Sequence, residues 1–277
     1  MTVTATIDHG TTRDGLIQLR RRWSPSGPAT ATALLVHGMG EHSGRYEHVG
    51  TRLAERGIDT VAIDNRGYGQ SGGKRAYVAD WEHFHNDIED QLAEIGSLGL
   101  PTVLIGHSLG GLMAVGYCGS SRPQPDALIV SGPALAAELD GRAKTLVTLG
   151  PAIRRFAPGY EHRDPWDATV YAEDVSVGER FMEDPLRVDF VTISLALESI
   201  DAIRRARATV GDIDIPVLCV HGARDKLVPV RASEILSTVP GARRIVYDHL
   251  GHEVFNEPEG LDIVDTCAEW AVDVLGA

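Results

Sequence analysis

The chain predicts an α/β protein: a mostly parallel central sheet of about eight strands, flanked by helices, with one helical insertion. Two observations carry this. Short apolar runs alternate with segments in which apolar residues recur every three to four positions, the pattern of parallel strands joined by covering helices. The stretch 133–209 then breaks that rhythm with helical pattern alone.

The elements follow in order. Residues 2–7 and 16–23 read as strands around the turn-rich "DHGTTRDG". No helix separates them, so they should form an antiparallel edge. Residues 31–37, "ATALLVH", are a continuous apolar run, as a strand buried on both faces requires. A helix over 45–56 puts Tyr46, Val49 and Leu53 on one side. Residues 58–63 are another buried strand. Phe84, Ile88, Leu92 and Ile95 then recur at helical spacing. A strand at 102–107 leads into a small-residue helix at 109–118. Strands at 127–130, 217–220 and 244–247 complete the sheet. A last helix at 261–275 carries Leu261, Val264, Ala268 and Ala271 on one face. Within 133–209, "LDGRAKTLVTLGPAIRRFAPG" and "VDFVTISLALESIDAIRRA" are both helix-like. The expected organisation is a core of 1–132 and 210–277 with a helical lid at 133–209.

The chain has 277 residues, 43% of them hydrophobic, enough for a sizeable core. Its formal charge of −13 disfavours nucleic acid and anionic surfaces and suits neutral or cationic ligands. Cys118, Cys219 and Cys267 are odd in number and widely spaced, which fits neither a disulfide framework nor a zinc site; buried thiols are expected. "MTVTATIDHG" has no basic segment followed by an apolar one, so no secretory signal is expected. No apolar run reaches the ~20 residues of a membrane span. The expectation is a cytoplasmic protein, with peripheral contact at membranes through the lid.

"TVLIGHSLGG" holds the chemistry. Gly106-His107-Ser108-Leu109-Gly110 fits G-x-S-x-G between a predicted strand and a predicted helix. The chain must turn at once from one to the other, which strains Ser108 and presents its hydroxyl at the carboxyl end of the sheet. The Leu109 N–H, at the helix start, points toward an oxygen placed near Ser108. A serine hydroxyl needs a base, and in this arrangement the acid precedes the histidine in the chain. Of eleven histidines, His221, His249 and His252 follow Ser108 at a long interval. His252, in "LGHEVFNEP", sits in the loop between the last strand and the last helix; His249 is a second candidate nearer the strand. Asp225, in "HGARDKLVP", lies just past a strand and can orient the imidazole. Asp212, Asp214 and Asp248 fit less well, because none leaves a strand's carboxyl end with room to reach His252. A second oxyanion donor should come from the loop after the first parallel strand, where the Met39 N–H is placed to donate.

Other motifs fail on context. "GYGQSG" matches G-x-G-x-x-G, but no apolar-periodic helix follows it. "HEVFN" lacks the second histidine of a zinc motif, with Asn256 in its place. His83 and His85 read as a solvated helix face, and Arg154 and Arg155 as solvated lid residues.

With these residues in place, "HGMGEHSGRY", "GHSLGG", "HGARDKLVP" and "GHEVFNEP", in that order over nearly the full length, resemble the α/β-hydrolases of the monoacylglycerol lipase and lysophospholipase-like group. The resemblance implies the α/β-hydrolase fold, a Ser108–Asp225–His252 triad and an oxyanion hole of the Met39 and Leu109 N–H groups. It further implies a helical lid over an acyl channel and a small polar pocket near Glu41 and Arg45. No cofactor or metal is implied. Two departures bear on substrate. Members commonly read D-x-R-G-H-G-x-S, where this chain has Tyr68 in place of the histidine. Members commonly carry a tyrosine three residues before "DPL", where Phe181 stands, so a hydroxyl at the glycerol end is missing.

The function expected from this is a serine carboxylester hydrolase acting on monoacylglycerols or similar neutral lipid esters. A short-chain carboxylesterase or thioesterase of the same fold is the alternative. A peptidase, or a non-catalytic binding protein on this scaffold, is more remote, since every triad position is kept.

Overall fold

The computed structural model describes residues 3–137, 141–163 and 167–276. Along the chain run β1 (Thr6–Thr11), β2 (Ile17–Trp23), β3 (Ala31–Val36), α1 (Glu47–Glu55), β4 (Ile58–Ile63), α2 (Glu82–Gly96), β5 (Thr102–His107), α3 (Leu109–Cys118) and β6 (Ala127–Ser131). An insertion follows, with α4 (Gly141–Phe156), β7 (Glu161–His162), α5 (Val175–Glu183), β8 (Val191–Thr192) and α6 (Ile193–Thr209). The chain closes with β9 (Val217–Gly222), β10 (Arg243–Tyr247) and α7 (Gly260–Leu275).

Eight strands form one sheet in the order β1-β2-β4-β3-β5-β6-β9-β10. β1 and β2 run antiparallel to their neighbours, and the other adjacent pairs are parallel. The neighbours of β3 are β4 on one side and β5 on the other. The crevice beyond the carboxyl ends of β3 and β5 is therefore the topological switch point, where open α/β sheets bind their ligands.

Every residue of β3, β4, β5, β6 and β9 is buried, because helices cover both faces. In β3, Leu34 and Val36 pack with α2 and α3 on one face. Ala33 and Leu35 pack with α1 and α7 on the other. Each such leucine contributes about 1.5–3 kcal/mol by burial, and a one-residue slip would exchange the two faces.

The structure corrects the expected elements in several places. The first strand is 6–11 rather than 2–7, residue 2 lying outside the described residues. Its register follows the turn at 12–16, where the Thr12 N–H donates to Leu16 O at 2.9 Å and the Gly15 N–H to Thr12 O at 2.8 Å. Across the pair, Arg20 meets Asp8 at 2.7 Å. In the last helix Leu261 is 43% exposed; Ile263, Val264, Cys267, Ala268 and Ala271 make the buried face. His85 is buried, not solvated. Its Nε2 accepts from Trp81 Nε1 at 3.2 Å, and its ring meets Tyr117 edge-on. Arg154 is likewise not free: it donates to Glu198 Oε1 at 2.7 Å and to Ala79 O at 2.5 Å, fastening α4 to the core. The insertion also holds a short antiparallel pair, β7 with β8, that apolar pattern did not signal. Residues 138–140 and 164–166 of the expected lid lie outside the described residues.

The three cysteines are free and buried, and burial pushes the Cys219 and Cys267 thiols up to about 12. No described helix is long and apolar enough to cross a membrane.

Candidate active site

β5 delivers Ser108 into a backbone conformation of φ +51°, ψ −114°. A non-glycine residue there stores of order 1–3 kcal/mol, held only if its surroundings over-determine it. They do. Its N–H donates to Ser131 O at 2.9 Å, and its carbonyl accepts from Leu112 and Ala134 N–H at 3.0 Å each. The turn also needs strand and helix in close approach. A methyl group at Gly106 would come within 2.5 Å of Gly110 O, and one at Gly110 within 2.2 Å of Val36 O. Leu109 opens α3, so its N–H lies at the positive end of that helix.

The loop after β3 is fixed from several sides. The Asn65 N–H donates to His37 Nε2 at 2.9 Å, so the other ring nitrogen carries the proton and donates to Gly38 O at 2.7 Å. Burial lowers the His37 pKa, keeping it neutral. The Gly38 N–H donates to Glu41 Oε1 at 2.6 Å. Gly40 has φ +79°, and a methyl there would meet Val188 O at 2.8 Å. The Val188 N–H in turn donates to Gly40 O at 2.9 Å. Met39 is thus held between two anchored glycines. The loop lies beside the serine: a methyl on Gly38 would be 3.0 Å from Ser108 Cβ.

Asp225 follows β9, and its carboxylate is wholly buried and accepts four hydrogen bonds. Oδ1 accepts from the Leu227 and Val228 N–H groups at 2.8 Å each. Oδ2 accepts from His252 Nδ1 at 2.6 Å and from His221 Nε2 at 3.0 Å. Burial alone would raise this carboxyl, but the His252 charge and the donated hydrogen bonds hold it well below the usual carboxylate range. An ionised Asp225 only accepts, so the His252 proton sits on Nδ1 and Nε2 is left as an acceptor. Burial pulls the His252 pKa down; the Asp225 charge and hydrogen bond outweigh it, and the net direction is up from 6.5. His107 lies with its ring centroid 4.8 Å from that of His252. Burial lowers its pKa to about 3, so the two neighbouring rings are shifted in opposite directions and His107 stays neutral. His249, the second candidate base, is 57% exposed beside Glu259, away from Asp225. Asp248 is also exposed.

Three further residues singled out in the sequence converge here. Arg45 lies over the Phe181 ring with its guanidinium carbon 4.5 Å from the centroid, and Glu41 accepts from Arg45 Nη1 at 2.6 Å. Arg187 also lies over Phe181, at 5.2 Å, and Tyr171 meets the same ring edge-on at 4.6 Å. Tyr68 is fully buried, edge-on to His37 at 5.7 Å.

Sequence reasoning missed Glu253, Tyr171 and Tyr46. Glu253 is buried and accepts from Arg45 Nη1 at 3.1 Å. Burial would raise its carboxyl, but the Arg45 guanidinium, then His107 and His252, hold it low. Its only signal was its place directly after His252. Tyr171 acts through its backbone: its carbonyl accepts from the His252 and Glu253 N–H groups at 3.0 and 2.9 Å. The insertion is also tied to the β3 loop, where Gly44 N–H donates to His42 Nδ1 and His42 Nε2 donates to Asp184 Oδ2 at 2.9 Å. A groove of about 400 Å³ opens beside Arg45, lined by His42, His48, Arg180 and Asp184 but not by Ser108 or His252. Among the described residues no group of three His, Cys, Asp or Glu side chains is arranged to hold a metal ion.

The arrangement supplies a strained hydroxyl, an imidazole with its acceptor nitrogen left available, and backbone N–H groups on two adjacent strand ends. Residues 27–259 match the serine aminopeptidase, S33, family. A monoacylglycerol lipase of Mycolicibacterium smegmatis is 33% identical over 264 residues, 91% of this chain and 92% of that one. The monoglyceride lipase of Homo sapiens is 27% identical over 237 residues, 83% of this chain and 77% of that one. The crystal structure of a Paleococcus ferrophilus monoacylglycerol lipase superposes with a TM-score of 0.83 at 29% identity, covering 92% of this chain and 98% of that one.

Proposed function

We propose that this chain, which belongs to the serine aminopeptidase, S33, family and has the α/β-hydrolase fold, cleaves monoacylglycerols or similar neutral lipid esters to a fatty acid and glycerol. It is a monoacylglycerol lipase-like serine hydrolase. The observation that carries the mechanism is the Asp225–His252 hydrogen bond at 2.6 Å, on the switch-point edge where Ser108 is held at φ +51°.

Ser108 Oγ attacks the ester carbonyl while His252 Nε2 takes its proton. Asp225 stabilises the imidazolium and holds the tautomer. The carbonyl oxygen, now an oxyanion, accepts from the Met39 and Leu109 N–H groups; each such donor is worth about 10²–10³ in turnover. Collapse expels the alcohol, which leaves with the proton from His252 Nε2. Water, deprotonated by the same nitrogen, then attacks the acyl-enzyme; as the fatty acid leaves, His252 Nε2 returns that proton to Ser108 Oγ and the free enzyme is restored.

Residues 133–209 act as a lid over the acyl group, with Phe181 on the headgroup side. The outer surface of the lid suits a lipid source. Leu149 and Phe156 of α4 are 55% and 82% exposed, with Lys144 and Arg155 exposed on the same helix. This is an apolar face with basic flanks, as found on helices that rest at a membrane interface.

The test is a panel of initial rates, with Ser108→Ala as blank. It covers monoacylglycerols of several chain lengths, diacylglycerol, triacylglycerol, lysophosphatidylcholine and a soluble short-chain ester. A maximum on a monoacylglycerol is expected. A preference for the short ester, with monoacylglycerols barely turned over, would mean that Phe181 and the altered lid have changed the substrate, leaving a general esterase.

A further inference from the structure

The loops bearing Met39 and His252 are more than 200 residues apart in sequence, yet one side chain joins them. Arg45 Nη1 donates both to Glu41 Oε2 at 2.6 Å and to Glu253 Oε1 at 3.1 Å. The other oxygen of Glu41 accepts from the Gly38 N–H at 2.6 Å and from the Tyr46 hydroxyl at 2.8 Å. Gly38 immediately precedes Met39, and Glu253 immediately follows His252. A hydrogen-bonded path, Gly38–Glu41–Arg45–Glu253, therefore runs from one half of the catalytic apparatus to the other.

Resemblance alone would give Glu41 and Arg45 to the substrate's glycerol. Their bonding argues for a different role. The Glu41, Arg45 and Glu253 side chains are 2%, 10% and 4% exposed. Glu41 already meets three donors. The Arg45 charge lies between two carboxylates, and its guanidinium also lies over the Phe181 ring. Glu41 therefore has little capacity left for a neutral hydroxyl, and the Arg45 nitrogen that joins the two loops is already shared between two carboxylates; a buried network of this kind rigidifies what it connects. Rigidity matters here, because the oxyanion donor and the base must be right together, and a displacement of about 1 Å can cost about 10² in rate.

We infer that Glu41, Arg45 and Glu253 form a positioning clamp that sets the Met39 N–H relative to His252, and that this, rather than recognition of the headgroup, is their main contribution to turnover. This rests on the serine-hydrolase reading above, but not on the identity of the ester. A headgroup contact would matter only for substrates that carry the headgroup. A clamp would matter for every ester.

The experiment measures kcat and KM for a monoacylglycerol and for p-nitrophenyl butyrate, which has no glycerol. The proteins are wild type, Glu253→Ala and Glu253→Gln, each checked by thermal unfolding. Glu253→Ala severs the clamp while leaving Arg45 paired with Glu41. It should lower kcat about tenfold or more, by the same factor on both esters, with KM changed less than twofold. Glu253→Gln keeps a neutral acceptor for Arg45 in place of a charged one and should recover only part of the loss, to about threefold below wild type on both esters. Two results would overturn the inference: a loss confined to the monoacylglycerol and expressed in KM, or unchanged kcat on both esters. If the alanine variant does not fold, the glutamine variant decides, with an expected loss of about threefold, equal on the two esters; an unequal or absent loss overturns the clamp. If the wild type turns over only p-nitrophenyl butyrate, the substrate reading fails, and the clamp is judged on that ester alone.

Discussion

Asp225→Asn replaces one oxygen by nitrogen and should cost about 10⁴ in turnover. The backbone dictates how the new amide sits. The Leu227 and Val228 N–H groups both point at Oδ1 from 2.8 Å, so the amide carbonyl must take that place; an NH₂ group there would face two donors. The NH₂ group then occupies the Oδ2 position, 2.6 Å from His252 Nδ1. It is a donor, so His252 Nδ1 must accept and the ring proton moves to Nε2. That tautomer cannot take a proton from Ser108. A factor of about 10⁴ corresponds to about 5.4 kcal/mol of transition-state stabilisation. The assay is kcat/KM on a soluble p-nitrophenyl ester, with thermal unfolding as the control for fold. A loss of less than tenfold in a folded variant would mean that Asp225 does not set the tautomer of the base.

Other outcomes follow from the same geometry. The base must be neutral to act, and the His252 pKa is raised above 6.5, chiefly by Asp225 acting against burial. The kcat/KM profile should therefore fall with decreasing pH through an apparent pKa above 6.5, with no second step from His107; a limb centred well below 6.5 would contradict this. Ser108→Ala and Ser108→Gly should both be inactive and unlabelled by a fluorophosphonate probe. At φ +51° a glycine avoids a Cβ penalty of about 1–2 kcal/mol, so the glycine variant should melt about 2–4 °C above the alanine variant; equal melting temperatures would show that the turn is not strained. Phe156→Asp should weaken co-sedimentation with phosphatidylcholine vesicles about tenfold or more, since burying a Phe is worth about 1.5–3 kcal/mol. The soluble-ester rate should not change, and unchanged vesicle binding would remove α4 as the contact.

Local pattern along the chain is enough to specify the strands and the serine turn. The buried strands are legible because a strand covered on both faces must be apolar throughout, as residues 31–36 and 102–107 are. The serine turn is legible because only small residues allow β5 and α3 to meet at Gly106 and Gly110. Local pattern fails where the deciding partner lies elsewhere in the chain. The first strand sits at 6–11 because turn geometry and β2 choose the register, although 2–7 has the stronger strand composition. His85 is polar in an amphipathic helix, yet it is buried because Trp81 supplies a donor and Tyr117 an edge. Leu261 is apolar at the start of α7 but points off the face that α1 and the sheet cover.

The contacts that hold the site together are long-range. Nothing near Glu253 in sequence announces a partner at Arg45, 208 positions away. Nothing in "VYAED" announces that the Tyr171 carbonyl caps the backbone of the His252 loop. Secondary structure is governed by neighbours within about one helical turn or one strand pair. A buried charge must instead be paired by whatever the fold brings to it. Spacing along the chain can nominate a nucleophile, a base and an acid. Only the fold determines which charges surround them.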